Sequence, residues 1–378
     1  MRIPFASSER STVGIEWELA LVDADSGDLR QVAETVLDAV RPAGAESHPN
    51  VHAELLLNTI EVVSGVCHTV GEAGRDLERT VEELRTVIDP LRVDLMCAGT
   101  HPFARPAYQR VTNKGRYATL IDRTQWWGRQ MVIYGVHVHV GIEDRDKVLP
   151  ILRAMLTYFP HLQSLAASSP YWAGSDTGYA SNRALLFQQL PTAGLPQPFG
   201  VWSELEEYAQ GMTHTGVIDA FDEIRWDIRP APHLGTLEVR AFDGASNLSE
   251  VLALAALTHC LVEHFSAMLD RGEELPSMPQ WFIEENKWRS ARYGMDAIVI
   301  LDAAGNEQLV TESLPELLET LTPVADRLGC LSELDGVRTI LRKGASYQRQ
   351  RAVARRNDGD LDAVVASLVA EMRAGRPL

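Results

Sequence analysis

Polar residues alternate with apolar residues in three short, β-prone stretches of the chain. Glu16-Trp17-Glu18 lies within TVGIEWELALV, His137-Val138-His139 within MVIYGVHVHVGI, and Glu238-Val239-Arg240 within GTLEVRAF. Alternate residues of a strand point to the same face of a sheet. Each stretch, as a strand, therefore places two ionisable side chains on one face.

Helical periodicity marks several segments between these strands. In residues 69–89 the apolar side chains fall on one face of a helix that Pro90 ends, with Glu and Arg residues opposite. The same pattern predicts helices at 31–41, 146–168 with a kink at Pro160, 249–271, 313–328 and 360–374. Residues 168–198 are rich in proline and glycine, which predicts a long, loop-rich stretch.

Strands and helices alternate without a regular βαβ rhythm. Asp25-Ser26-Gly27 is typical of a hairpin turn after the first strand, and LRVDLMCAGTHPF is typical of a buried strand that runs into a turn. These features favour an α+β fold with a largely antiparallel sheet. The best linker candidate, 271–280, is short, so we predict one domain over residues 1–378.

Composition and charge narrow the class of protein. The chain is 45% hydrophobic and 23% charged, as soluble globular proteins are. Its formal net charge of −17 argues against a nucleic-acid partner. No secretory signal is evident, and the apolar stretch 251–265 is short for a bilayer. Four cysteines without C-x-x-C spacing (Cys67, Cys97, Cys260 and Cys330) indicate buried thiols. We therefore expect a soluble cytoplasmic protein that acts on small molecules, with no membrane partner.

Several glutamates lie in apolar, strand-like runs, where burial of a carboxylate is costly without a partner. A solvated edge strand accounts for any one of them, but together they indicate a shared divalent cation. Oxygen ligands with one or two imidazoles suit Mg²⁺ or Mn²⁺ better than zinc, and which histidine binds the ion stays open. The predicted metal ligands are Glu16, Glu18, Glu54, Glu61, His137, His139 and Glu238.

Arginines are the second component of the predicted site. A guanidinium group binds carboxylate or phosphate in a bidentate manner, although a surface ion pair is its common role. Candidates are Arg183, Arg225, Arg229 and Arg240. The basic segment 342–356 is either a solvated helix face or a cover over nucleotide phosphates. Cations and arginines without an obvious nucleophile indicate phosphoryl transfer, and the acceptor stays open.

Longer motifs resemble one known family. The chain contains, in the family's order, TVGIEWEL, NTIEVVSGVC, AGTHPF, GVHVHVGI, ASSPYWAGSDTGYASNRALLF, WDIRPAPHLGTLEVRAFD and RYGMDA. This order resembles the ATP-dependent carboxylate–amine ligases called glutamate–cysteine ligase type 2, densely over residues 12–300 and more loosely beyond. The resemblance implies a glutamine synthetase-like funnel: a curved, largely antiparallel sheet with acidic metal ligands on its concave face and helices packed on its outer face.

The resemblance also implies a reaction. The side-chain carboxylate of glutamate attacks the γ-phosphate of ATP, and the amine of cysteine or a similar acceptor displaces phosphate from the acyl phosphate. Glu16, Glu18, Glu61, His137 and Glu238 match metal-ligand positions, and Glu54 stands where relatives can have aspartate. Arg229 and Arg240 match catalytic contacts to phosphate or carboxylate. Asn182 and Arg183 match substrate or ATP contacts, and we place Arg225 with them.

Two other functions remain open. One is a Mg²⁺-dependent hydrolase that uses the same carboxylate–histidine cluster, and the other is a non-catalytic relative that binds an amino acid or a nucleotide. A ligase differs from both because it consumes ATP and releases ADP and phosphate only with an acceptor present. Relatives also suggest a homodimer, and the loop-rich stretch 168–198 suggests a gate that protects the acyl phosphate from water.

Overall fold

The structure, a computed structural model, describes residues 2–378. Its strands are β1 (Val13–Asp23), β2 (Val51–Ala53), β3 (Thr59–Val63), β4 (Val93–Met96), β5 (Gly135–Gly141), β6 (Tyr171–Trp172), β7 (Ser175–Asp176), β8 (Ile228–Ala231), β9 (Thr236–Asp243), β10 (Ile298–Ile300) and β11 (Glu307–Leu309).

The helices surround these strands. They are α1 (Ala33–Val40), α2 (Val70–Ile88), α3 (Gly115–Thr124), α4 (Trp126–Arg129), α5 (Arg145–Thr157), α6 (Phe159–Ala166), α7 (Asn182–Phe187), α8 (Trp202–His214), α9 (Leu248–Asp270), α10 (Gln280–Tyr293), α11 (Val310–Arg327), α12 (Leu331–Lys343), α13 (Ser346–Arg356) and α14 (Leu361–Ala374).

The main sheet is antiparallel throughout. Its strand order is β2-β3-β1-β5-β9-β8, and β4 pairs with β1. Strand β1 is long enough to pair with β3 along one edge and with β5 and then β4 along the other. This topology confirms the predicted α+β fold with a largely antiparallel sheet.

The two faces of the sheet differ in polarity, as the alternation along β1 predicts. Ile15, Trp17 and Leu19 are buried in the hydrophobic core, whereas Glu16 and Glu18 point to the opposite face. Helices α2, α5, α6 and α9 contact the sheet. The core cluster runs without a break from the N-terminal residues to α14, so one domain remains our interpretation of the chain.

Helix α2 matches its predicted range because its start is specified locally. Thr69 caps it, with its hydroxyl accepting from the Glu72 amide while the Glu72 side chain accepts from the Thr69 amide. A 3₁₀ turn, Asp89–Leu91, follows its last residue and contains Pro90. Capping and one apolar stripe together make this helix predictable.

Helix α9 matches the predicted helix 249–271 to within one residue at each end and extends beyond the apolar stretch 251–265. Within the described residues it is the one helix long and apolar enough to cross a bilayer by length and composition. Most of it is nevertheless buried inside the protein, where it contacts β1, β5 and several helices. We therefore interpret it as the central helix of the core.

One sequence prediction about local structure is wrong. The segment 146–168 is not a helix kinked at Pro160, because α5 ends at Thr157 and α6 begins at Phe159. Proline lacks an N–H group and is favoured in a first turn, where Pro160 lies. Residues 168–198 are loop-rich, as predicted, and their regular structure is limited to the β6–β7 hairpin and α7.

Candidate active site

The strand register places the predicted polar residues in one row across the sheet. Glu18 lies opposite Glu61, and Glu16 lies opposite His137. Glu238 lies opposite His139 on one side and Arg229 on the other. Directly paired residues of antiparallel strands project to the same face, so this row faces one space.

That space is a cavity of about 630 Å³, within the usual range for small-molecule sites. It is open on the polar face of the sheet. The predicted residues that line it are Glu16, Glu18, Glu54, Glu61, His137, Arg183, Arg225, Arg229 and Arg240.

His137 is the central residue of the row. Its Nδ1 lies 2.7 Å from Glu16 Oε2, and its Nε2 lies 4.0 Å from Glu18 Oε1. Burial, together with the charge of Arg240, lowers the pKa of His137 to about 4. The imidazole is therefore neutral at pH 7 and donates from Nδ1 to the Glu16 carboxylate. Nε2 is left with a free lone pair, and it is buried without a partner in the range 2–378.

His139 has a different environment, because both of its ring nitrogens have partners. Nδ1 lies 2.9 Å from Thr236 Oγ1, and Nε2 lies 3.2 Å from Glu16 Oε1. Burial acts to raise the pKa of Glu16, but the hydrogen bonds from His137 and His139 outweigh it and hold this pKa below its usual range. His139 thus orients an ionised Glu16.

Three further glutamates converge on the opposite side of His137. Burial raises the pKa of Glu18 to about 7, the charge of Glu54 adds to the rise, and Arg183 and Arg240 oppose it. Burial also raises the pKa of Glu54, and it raises the pKa of Glu61 well above its usual value with help from neighbouring carboxylates. Glu18 is further held by the Gly135 amide, which donates to its Oε2 at 2.5 Å. A divalent cation would relieve this repulsion.

Two sets of side chains have the spacing of a metal site. Ligand atoms of Glu18, Glu61 and His137 lie within 4.8 Å of one another, and so do those of Glu16, His137 and Glu238. The free Nε2 of His137 and the mutual repulsion of the Glu18 and Glu61 carboxylates are compatible with a divalent cation at the first set. Carboxylate oxygens with one imidazole match Mg²⁺ or Mn²⁺.

Glu238, which belongs to the second of these sets, also forms ion pairs with two arginines. Its Oε2 accepts from Arg229 Nε at 2.6 Å, and its Oε1 accepts from Arg240. Glu238 is 1% exposed, and the charges of Arg240 and Arg229 lower its pKa against the opposing effect of burial. The carboxylate therefore holds both guanidinium groups at the cavity.

The remaining predicted residues fall into two groups. Arg183 and Arg225 line the cavity, and Arg225 donates to the Glu223 carbonyl at 3.0 Å. Asn182 precedes Arg183 on α7 but does not line the cavity. Its backbone N–H donates to the Ser169 carbonyl.

The basic segment 342–356 also lies outside the cavity lining. It forms the end of α12 and α13, where Arg349 is largely buried and bonds Glu250 and Glu371, each at 2.8 Å. Arg351 pairs with Asp176 at 2.6 Å. The segment is neither a fully solvated face nor a cover over this cavity, because its central arginine joins α13 to α9 and α14.

Sequence reasoning missed the wall that α3 forms. Arg116, Tyr117 and Arg123 line the cavity, and the Tyr117 hydroxyl donates to the Ala53 carbonyl at 3.3 Å. Arginine and aromatic residues are dense in NKGRYATLIDRTQWWGRQ, and that composition was the available signal. The segment has no strand alternation, so only tertiary contacts reveal which residues face the site.

Comparison with known proteins gives consistent results. The sequence profile of Glutamate-cysteine ligase family 2 (GCS2) matches residues 12–367. A protein of Arthrobacter sp. (strain FB24), provisionally named glutamate–cysteine ligase 2-1, is 59% identical over 380 residues and covers 99% of each chain. A protein of Mycolicibacterium vanbaalenii with the same provisional name is 58% identical over 371 residues, covering 98% of this chain and 96% of that one.

A solved structure supports the fold. The glutamate–cysteine ligase of Francisella tularensis, crystallised in complex with AMP, superposes with a TM-score of 0.65 at 12% sequence identity, covering 98% of this chain and 94% of that one. At this identity the likeness shows the fold alone, and it agrees with the antiparallel sheet described above. The profile match over nearly the whole chain and the near-complete relatives together show that this protein belongs to glutamate–cysteine ligase family 2.

Proposed function

We propose that the protein is an ATP-dependent carboxylate–amine ligase with glutamate–cysteine ligase-type activity. The observation that supports this most is the composition of one cavity. Clustered carboxylates with a free imidazole nitrogen face the same space as the buried guanidinium group of Arg183 and the partly buried ones of Arg229 and Arg240. Such a cavity can hold a cation together with two anions, which is what ATP and a carboxylate substrate require.

The proposed ion is Mg²⁺ or Mn²⁺. Glu18, Glu61 and Nε2 of His137 would hold one ion, with Glu54 beside them, and Glu16 would contribute to a second position with Glu238. When bound, the ion would neutralise charge on the phosphates and activate the γ-phosphorus toward attack. His139 then acts as an orienting residue for Glu16 and not as a ligand, because both of its ring nitrogens already have partners.

In the first proposed step a carboxylate oxygen of glutamate attacks the γ-phosphorus of ATP, and ADP leaves. Negative charge is spread over the phosphoryl oxygens as the bond to ADP breaks. Arg229 and Arg240 stabilise that charge, since Glu238 fixes both guanidinium groups before the substrate binds. Arg183 and Arg225 bind the anionic ends of the substrates.

In the second proposed step the amine attacks the carbonyl carbon of the acyl phosphate, and phosphate leaves. An acyl phosphate reacts with water, so the cavity has to enclose it. The walls that α3 and α7 form around the sheet supply this enclosure, with Tyr117 and Phe187 among the lining residues. We also propose a cytoplasmic location, which is the expectation from the sequence, and a homodimer, which is the expectation from the family resemblance.

One experiment tests the function directly. The protein is incubated with ATP, Mg²⁺ and glutamate, each of a panel of amines is added, and ADP, phosphate and the product mass are measured. A ligase releases ADP and phosphate in equal amounts only with an acceptor and forms the amide. Hydrolysis of the substrate without ATP would identify the hydrolase alternative. Ligand binding with no turnover on any amine would identify the non-catalytic alternative.

A further inference from the structure

Asp243 lies at the end of β9, outside the set of residues predicted from the sequence. It is 1% exposed and pairs with Gly135 of β5. The backbone at Gly99 approaches it so closely that a Cβ there would lie 2.6 Å from the Asp243 carboxyl carbon. We infer that Asp243 is a positioning residue that holds Arg183 ready to bind an anionic oxygen of a substrate. This inference rests on the proposed function, because the anions are the substrates named there.

The Asp243 carboxylate joins both ends of the segment 168–181. Its Oδ2 accepts from the Ser168 amide at 2.9 Å and from Ser169 Oγ at 2.6 Å. Its Oδ1 accepts from Ser181 Oγ at 2.8 Å. All three serines are buried, so the carboxylate takes the place of solvent for three donors.

The hydroxyl groups of Ser169 and Ser181 link Asp243 to the first turn of α7. Each hydroxyl has a single proton, which it donates to Asp243, so its lone pairs remain for an amide. Ser169 Oγ accepts from the Arg183 amide at 3.0 Å, and Ser181 Oγ accepts from the Ala184 amide at 3.3 Å. The carboxylate thereby sets the position of the backbone from which the Arg183 side chain begins.

The Arg183 side chain lies over Gly135 at the cavity. Arg183 is 3% exposed, and its NH1 donates to the Arg240 carbonyl at 3.4 Å. Its NH2 occupies the space that a side chain at position 135 would need. Its Nε has no hydrogen-bond partner among the described residues. A buried guanidinium group with an unused donor at the wall of a cavity is suited to bind an anionic ligand, either phosphate or carboxylate.

The charges of the two side chains support the same assignment. Burial raises the pKa of Asp243, while the positive charge of Arg183 and the serine hydroxyls oppose that rise. The positive charge of Arg183 acts on Glu18 as well, where it opposes the rise in pKa. Loss of the Asp243 charge or of its hydrogen bonds would therefore leave Arg183 free to turn toward Glu18.

A double-mutant cycle in the full-length protein tests this. Asp243→Asn, Arg183→Gln and the double variant are compared by calorimetric Kd for ATP with Mg²⁺ and for glutamate, and by kcat and KM for ADP release. We expect Asp243→Asn to weaken, by roughly tenfold, the same ligand that Arg183→Gln weakens. In the Arg183→Gln background the Asp243 change should have no further effect on that Kd. A loss in the ATP arm assigns a phosphate to Arg183, and a loss in the glutamate arm assigns a carboxylate.

Ser313→Ala is the matched control for the loss of a buried hydrogen bond. Ser313 Oγ lies 2.8 Å from His161 Nε2, and neither residue lines the cavity. We expect this variant to lower Tm without changing either Kd or KM. If Asp243→Asn does not fold, Ser181→Ala interrupts the same path and replaces it in the cycle.

Three results would overturn the inference. The first is an equal loss of ligand affinity from Asp243→Asn in the wild-type and in the Arg183→Gln background. The second is an Arg183→Gln variant that binds both ligands with wild-type affinity. The third is wild-type protein that binds neither ATP nor glutamate. Failure of the proposed function is a different result. Wild-type protein that forms no amide with any amine contradicts the ligase, while the cycle of Kd values still decides the role of Asp243.

Discussion

His137 and Glu16 are joined by a 2.7 Å hydrogen bond from Nδ1 to a carboxylate oxygen, and this bond leaves the other imidazole nitrogen unused. Nε2 is buried and without a partner in the part of the chain that the structure describes. It lies 4.0 Å from Glu18 Oε1. The pair therefore distinguishes the two histidines that the sequence treats alike, because His139 has both nitrogens bonded.

The first prediction compares these histidines. His137→Asn removes the free nitrogen and the contact to Glu16, whereas His139→Asn removes only an orienting contact. Loss of an orienting contact typically lowers metal affinity by about 10–100-fold, so we expect a loss of that size for His139→Asn and a larger one for His137→Asn. Calorimetric titration with Mn²⁺ measures both. Equal losses, or a larger loss for His139→Asn, would contradict the assignment of His137 as the ligand.

The second prediction concerns the pH dependence of metal binding. A proton on Glu18 or Glu61 competes with the ion, and the pKa of Glu18 lies at about 7 without metal. We expect the affinity for Mg²⁺ to rise between pH 6 and pH 8 and protons to be released on binding. Calorimetry in buffers of different ionisation enthalpy counts those protons. Binding that is independent of pH across this range would show that Glu18 is not a ligand.

The third prediction concerns the stability of the metal-free protein. The folded-state pKa of Glu18 is raised above its unfolded value, so the folded state binds the extra proton and the protein loses stability as pH rises from about 4.5 to about 7. Glu18→Gln removes the buried charge. We expect this variant to raise the free energy of unfolding at pH 8 by about 1–3 kcal/mol without metal, and to lose ligase activity.

Urea unfolding of both proteins at pH 5 and pH 8 checks this prediction. Saturating Mg²⁺ serves as the control, since the ion should stabilise wild-type protein more than the variant. A variant that is less stable than wild type at pH 8 without metal would mean that Glu18 is not charged and repelled in the folded state.

Alternation of polar and apolar residues was enough to predict β1, β5 and β9 and the face that their ionisable groups share. It could not predict which residues stand opposite one another, because register depends on strand pairing far along the chain. Glu238 illustrates this limit. As one residue of GTLEVRAF it resembled a metal ligand, but its pairing with Arg229 of β8 gives it two guanidinium partners.

Residues outside regular patterns were the hardest to predict. Arg116 and Tyr117 face the cavity because the segment before α3 is fastened to the strand edge, where Thr112 Oγ1 donates to the Glu54 carbonyl at 2.6 Å. Asp243 lies at the end of β9, and its hydrogen bonds come from serines more than sixty residues away. Contacts of this kind come from tertiary structure, on which local periodicity gives no information.

The fourth prediction concerns Glu238. Glu238→Gln removes the buried carboxylate that Arg229 and Arg240 share, and breaking a buried ion pair from one side typically costs about 3–5 kcal/mol. We expect metal-free Glu238→Gln to have a lower Tm than metal-free wild-type protein, and the variant to lose activity. If Glu238 served only as a metal ligand, its loss would not lower the Tm of the metal-free protein. Asp270→Asn, at an exposed cluster with Arg10 and Lys147, is the control and should leave Tm almost unchanged. Unchanged Tm in metal-free Glu238→Gln would contradict this role.

The fifth prediction uses two glycines of neighbouring strands. A Cβ at Gly135 would overlap Arg183 NH2, whereas a Cβ at Gly14 would meet the Cβ of His139 at an ordinary 3.8 Å. Both positions lie in strands, so Gly135→Ala and Gly14→Ala change backbone freedom similarly. We expect Gly135→Ala to displace the Arg183 guanidinium and to lower kcat/KM by roughly tenfold or more, since small displacements in an active site are costly. Gly14→Ala should retain activity. Steady-state kinetics measures kcat/KM of both variants, and circular dichroism checks that both fold. Similar activity in the two variants would mean that the position of Arg183 over Gly135 is irrelevant to the reaction.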